Sequence, residues 1–175
     1  MLLVLGCGAE QPVPVSQEAP VSALEREEAK NQETHFALMR GRPEPPPRSL
    51  AKEVEAIGGI PSLAQRLPLL TQEAWVFPGP GRLCLVAASG GPPSLACTRL
   101  GRVLKAGTFI ASVPANGLGS SPIRSVIGLV PDGVAKVRIH ASGARPITVS
   151  VEENVFALRD KGRAFPESIE LVRSG

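Results

Sequence analysis

From Gln72 onward the chain alternates short apolar runs with turn-forming residues, and that punctuation sets the fold class. Ala74-Trp75-Val76-Phe77, Leu83 to Ala87, Leu95 to Leu100, Thr108 to Val113, Val155 to Leu158 and Ile169 to Val172 each have the length of a strand. Between them lie Pro78-Gly79-Pro80-Gly81, Ser89-Gly90-Gly91-Pro92-Pro93, Pro131-Asp132-Gly133 and Lys161-Gly162. These supply the fixed φ of proline and the positive φ of glycine that tight turns require. Ser125 to Val130 is apolar almost throughout, which predicts a central strand covered on both faces. Past Pro131-Asp132-Gly133, Ala135, Val137 and Ile139 alternate with Lys136, Arg138 and His140. After a loop at 141–145, Ile147, Val149 and Val151 share one face and Thr148 and Ser150 the other. A hairpin with this period-2 pattern rests one face on a core and leaves the other in water. Residues 116–122 have no periodicity and read as a loop. The expected fold is α+β, mainly β: short N-terminal helices followed by an antiparallel β-sandwich or partly open barrel.

The leading segment obeys a different period. Residues 21–40 read as a helix opened by a capping box, Ser22 with Glu25, and docked only at its C-terminal end through Phe36, Leu38 and Met39. Gly41 and Pro43 stop it, and Pro45-Pro46-Pro47 makes a stiff spacer. Ser49 with Lys52-Glu53 resembles a second capping pattern, opening a helix that ends at Gly58-Gly59. Pro61 and Ser62 start another short helical turn to about Leu67. The expected division is an anchor remnant and tether at 1–20, a helix with Pro-rich linker at 21–47, and one mainly-β domain at 48–175.

Composition narrows the function classes. A formal charge of +3 arises from scattered arginines, and aromatics are only 3% with no tyrosine. A nucleic-acid partner therefore has little support, because neither a basic stripe nor a set of stacking rings is evident. Catalytic side chains are sparse. Asp132 and Asp160 are the aspartates, His35 and His140 the histidines, and no Gly-x-Ser-x-Gly elbow occurs. Ser89-Gly90-Gly91 reads as a hairpin turn rather than a nucleophile loop. Gly79-Pro80-Gly81 lacks the Lys-Ser/Thr and following helix of a phosphate loop. Glu152-Glu153 reads as a solvated strand end, since neighbouring strand residues point to opposite faces. No cofactor and no metal site are expected.

Six positions stand out beyond this. Cys84 and Cys97 are equidistant from Gly90-Gly91, so strands folded about that point place them opposite each other, where a disulfide can form. The competing reading is a pair of buried thiols. Asp132 shapes its Pro-Asp-Gly turn by bonding its own backbone, with a ligand or catalytic carboxylate as the alternative. Trp75 and Phe77 share a strand face, either core or an aromatic platform. Trp75, Asp132 and His140 form the candidate binding surface, and a ligand would meet the loops at 78–81, 116–122 and 131–133.

At the other end, Leu2-Leu3-Val4-Leu5-Gly6-Cys7 resembles the lipobox of bacterial lipoproteins, which implies lipidation of Cys7. No Lys or Arg precedes the run, which is shorter than the apolar region of roughly 7–15 residues in an export signal. The expectation is a true start upstream of Met1; the alternative is an apolar tail with an incidental cysteine. Residues 8–20 are small, polar and proline-bearing, as a tether would be.

The strings Phe36-Ala37-Leu38-Met39-Arg40, Val76-Phe77-Pro78-Gly79, Arg82-Leu83-Cys84-Leu85-Val86, Gly128-Leu129-Val130-Pro131-Asp132-Gly133-Val134 and Glu153-Asn154-Val155-Phe156 resemble a family of uncharacterised bacterial secreted proteins and lipoproteins. The likeness runs over roughly 36–172, and it implies a compartment outside the cytoplasm but no catalytic residues. The leading expectation is a non-enzymatic extracytoplasmic domain, anchored to the cell membrane by a lipidated cysteine. It would bind or scaffold an envelope protein or cell-wall ligand. An envelope hydrolase or accessory enzyme and an intracellular partner-binding domain are the alternatives.

Overall fold

A computed structural model describes residues 22–68, 73–88, 93–112, 125–159 and 166–173. The expected class is the observed one: a mainly β chain with few helices, built from antiparallel sheets and not closed into a barrel. The elements are α1 (Ala23–Glu33), α2 (Arg48–Ala56), β1 (Gln65–Arg66), β2 (Ala74–Gly79), β3 (Arg82–Ala87), β4 (Ser94–Arg99) and α3 (Leu100–Ala106). They continue with β5 (Thr108–Ser112), β6 (Ser125–Leu129), β7 (Val134–Ala141), β8 (Ile147–Ser150), β9 (Val155–Arg159) and β10 (Pro166–Arg173).

The strands form a four-stranded sheet in order β1-β2-β3-β4 and two three-stranded sheets, β5-β6-β9 and β10-β7-β8. Strand alternation explains how these stack. In the first sheet Ala74, Val76, Leu83, Leu85 and Ala87 point one way, into a cluster with Ile110, Ile127, Leu129 and Val155 of the second sheet. Trp75, Phe77, Cys84 and Val86 point the other way, against Leu50 and Val54 of α2. The far face of the second sheet, with Val126 and Phe156, packs on Val137 and Ile139 of the third. The order is therefore helix, sheet, sheet, sheet, and β6 lies wholly buried as expected of a central strand. Gly128 in β6 sits where a Cβ would lie 2.1 Å from the Phe156 ring and 2.6 Å from the Thr108 carbonyl oxygen. Only glycine lets that ring lie against its cross-strand partner.

Several local expectations are corrected. The 21–40 helix opens with the foreseen capping box but ends at Glu33, and a 3₁₀ turn follows at Ala37–Arg40. Burial of Phe36 and the capture of the Ala37 amide described below break the helical path. Ser49 does not cap α2; Pro47 occupies that position, and no side chain bonds the helix start. The stretch from Pro61 contracts to a 3₁₀ turn at Pro61–Leu63, because Gln65 and Arg66 pair with Val76 and Trp75 as β1. Pro78 and Gly79 belong to β2, leaving Pro80-Gly81 as the turn. Leu100 begins α3 rather than ending β4; this helix, absent from the sequence reading, carries the chain from the first sheet to the second. The loops at 89–92 and 116–122 and the Lys161-Gly162 turn lie outside the described residues.

Candidate functional site

The Pro131-Asp132-Gly133 corner does more than turn the chain. It joins β6 to β7, which lie in different sheets, and Gly133 adopts φ +80 as the turn chemistry requires. The Asp132 side chain, meanwhile, points at the N-terminal segment. Its Oδ1 accepts from the Ala37 amide at 2.9 Å and from Asn154 Nδ2 at 2.8 Å. Its Oδ2 accepts from the Arg40 guanidinium. The Asp132 amide in turn donates to the His35 carbonyl at 2.8 Å. Asp132 thus acts as a long-range cap for the 3₁₀ turn, fastened by residues more than ninety positions away in sequence.

Asn154 completes the junction. It sits in the left-handed region at φ 70, in the two-residue turn with Glu153 at φ 45, a conformation Asn adopts more readily than most residues. There its Oδ1 accepts from the Leu38 amide at 3.0 Å while its carbonyl accepts from Val130. Partial burial works to raise the Asp132 carboxyl pKa. The Asn154 and Ala37 hydrogen bonds and the Arg40 charge outweigh it, and hold the group below the ordinary aspartate range. Phe36-Ala37-Leu38-Met39-Arg40, the Pro-Asp-Gly corner and Glu153-Asn154 therefore meet in one polar joint over the buried Phe36 and Met39. Sequence reasoning gave Asn154 no role. The available signal was an Asn following Glu between two strands, a turn position.

The three residues of the candidate binding surface do not converge. Trp75 is only 3% exposed and packs with Phe77 between the first sheet and α2, so the platform reading is overturned. Asp132 and His140 stand near opposite ends of β7, roughly 25 Å apart at strand rise. Of the three loops expected to meet a ligand, 78–81 and 131–133 are each contacted by the N-terminal segment, while Pro80, Gly81 and Gly133 stay exposed. Buried Gln32 of α1 donates through Nε2 to the Gly79 carbonyl at 3.0 Å and to the Arg82 carbonyl at 3.3 Å. His35 and Ala37 take the other loop.

His140 remains on open surface, as the alternation required. It lies on the outer face of the third sheet with Lys136 and Arg138; Ser168 of β10 is opposite it, Glu170 and Thr148 flank Arg138, and Ser150 is opposite Lys136. Glu170 accepts from Arg138 at 2.9 Å and meets His140 Nε2 at 3.3 Å. Those two partners, His140 first, hold its carboxyl below the ordinary glutamate range. Glu152 and Glu153 are exposed, in keeping with a solvated strand end.

Cys84 and Cys97 face each other across β3 and β4 in the expected register and form a disulfide with Cα atoms 4.0 Å apart. Among the described residues no group of His, Cys, Asp and Glu is placed to hold a metal ion, and no helix is long and apolar enough to cross a membrane. Cys7 lies outside the described residues. Comparison of the chain with protein-family models, with curated proteins and with solved structures finds no match.

Proposed function

We propose that this chain is a non-enzymatic domain of the cell envelope, held outside the cytoplasm by a lipidated Cys7, and that it binds or scaffolds an envelope protein or cell-wall ligand. The reading rests first on the Cys84–Cys97 disulfide, since such bonds form and persist in oxidising compartments and are rare where thiol reductants prevail. The lipobox-like Leu5-Gly6-Cys7 and the proline-bearing tether supply an attachment consistent with that compartment. Asp132, the carboxylate best suited by sequence to act on a ligand, has both oxygens engaged by the chain's own donors. Such a joint, fastening the N-terminal segment to the β6–β7 corner, is of use to a scaffold. The outer face of the third sheet, with Arg138, His140, Thr148 and Glu170, is the surface offered to a polar partner.

The test is the intact mass of the chain from its native membrane fraction, before and after reduction. The expected species starts at Cys7, carries an acyl-glyceryl increment, and gains the mass of two thiol hydrogens on reduction. An unmodified chain with free thiols in the soluble fraction overturns the reading.

A further inference from the structure

We propose that Arg82, Arg99 and Arg102 form a basic docking patch for the anionic headgroups of a membrane surface. The choice of a bilayer as occupant rests on the membrane attachment proposed above. Arg82 and Arg99 are directly opposed partners at the end of the β3–β4 pair, on the same side of the sheet, and both are exposed. Directly opposed side chains in an antiparallel pair have Cβ atoms roughly 4.5–5.5 Å apart, and like charges so placed repel. The register is fixed, because the Cys84–Cys97 disulfide staples the same two strands two residues further along. Arg102 follows in the first turn of α3 and Lys105 in its last; both are exposed.

Elsewhere Arg40 meets Asp132, Arg66 meets Glu44 and Glu73, and Arg138 meets Glu170, while among the described residues Arg42, Arg48, Arg145, Arg159 and Arg173 stand singly and without an ion pair. Among the described residues no carboxylate lies within ion-pair distance of Arg82, Arg99, Arg102 or Lys105. Arg82 donates only to the Ile57 carbonyl at 3.2 Å, and Gln32 of neighbouring α1 reaches the Arg82 carbonyl through an amide rather than a carboxylate. Arg82 and Arg99, kept in register by the disulfide, with Arg102 and Lys105 on the helix that follows, are met by no carboxylate among the described residues and are complementary to an anionic partner. The charges are spread over two strand ends and a helix, which suits an array of headgroup phosphates better than one small anion. Attraction to such a surface adds to a lipid anchor as a second signal.

The full chain, unacylated, is tested by co-sedimentation with vesicles of phosphatidylcholine alone and of phosphatidylcholine mixed with phosphatidylglycerol. Binding is expected to the mixed vesicles only, and to weaken as salt screens the charges. Each basic residue at an anionic surface changes partitioning about fivefold, so the R99Q/R102Q double variant should bind about 25-fold less. R99K/R102K should retain binding, and R48Q/R145Q, which removes equal charge elsewhere, should bind as the parent does. Equal binding to neutral vesicles, equal losses in R48Q/R145Q and R99Q/R102Q, or displacement by inorganic phosphate beyond that by chloride of equal ionic strength would each overturn the patch. So would stronger retention on RNA than on vesicles. Because the chain carries no lipid here, failure of the patch leaves Cys7 attachment standing, and an unacylated native mass refutes the anchor without altering vesicle binding.

Discussion

Replacing Asp132 with alanine removes the acceptor for three donors at once, whereas asparagine keeps part of the arrangement. The two variants together measure what the joint contributes. Asn can still accept from the Ala37 amide and Asn154 Nδ2, but it loses its charge and turns an amide donor toward Arg40. A hydrogen bond to a charged group contributes about 1.5–3 kcal/mol when shielded from water. The Asp132 side chain is 36% exposed, so the Ala37 and Asn154 bonds are discounted to about 1 kcal/mol each. The half-exposed Arg40 pair adds about 0.5 kcal/mol. Asp132→Ala should therefore cost about 2.5 kcal/mol, part of it from leaving buried Asn154 without its acceptor, and Asp132→Asn about 1 kcal/mol. Urea unfolding followed by the fluorescence of Trp75, the sole tryptophan and a buried one, reads both. With a slope of roughly 1–3 kcal/mol per molar, the alanine midpoint should fall by about 1 M. A turn-only role predicts two nearly unchanged midpoints. Both variants within about 0.5 kcal/mol of the parent would refute the long-range cap.

The pH dependence of the same joint has a fixed sign. A carboxyl lowered on folding contributes stability above its unfolded pKa and loses it as pH falls through the folded value, so the gap between parent and Asp132→Asn should close on acidification from the ordinary aspartate range downward. A gap that widens in acid would contradict the assignment. Reducing the Cys84–Cys97 bond, which closes a separation of 13 residues, should lower stability by about 3 kcal/mol in the chain-entropy model, read as the midpoint shift between oxidised chain and C84A/C97A. Coincident midpoints would deny the bond that role. Gly128→Ala drives a methyl into Phe156 and the Thr108 carbonyl, and a loss of about 3 kcal/mol should appear as a melting temperature lower by roughly 10 °C. His140→Ala, on open surface, should leave the unfolding midpoint in place.

Much of the strand layout was legible because each run carries its own evidence. Alternation in β7 and β8, the unbroken apolar run of β6 and the glycine-proline punctuation are local facts, and the structure keeps them. The Cys84–Cys97 register was legible for the same reason: a short hairpin makes opposition a matter of counting. The Ser22–Glu25 capping box was equally local. What failed was short or ambiguous. Leu100–Ala106 is too brief for a helical period to declare itself, and the end of 21–40 was decided by partners far along the chain. Trp75 alternates as a core or a platform residue would, and only the presence of α2 over that face distinguishes them.

The sequence by itself determined the mainly β class, the positions of most strands and the hairpin that brings two cysteines together, because side-chain period and turn chemistry act between near neighbours. Tertiary structure alone decided that β7 pairs with β10 and β6 with β9, and that Asp132 and Asn154 clamp the segment at 35–40. Those pairings join residues far apart in the chain. They are selected by the burial of whole faces and by donors that need acceptors, and no local window contains either condition.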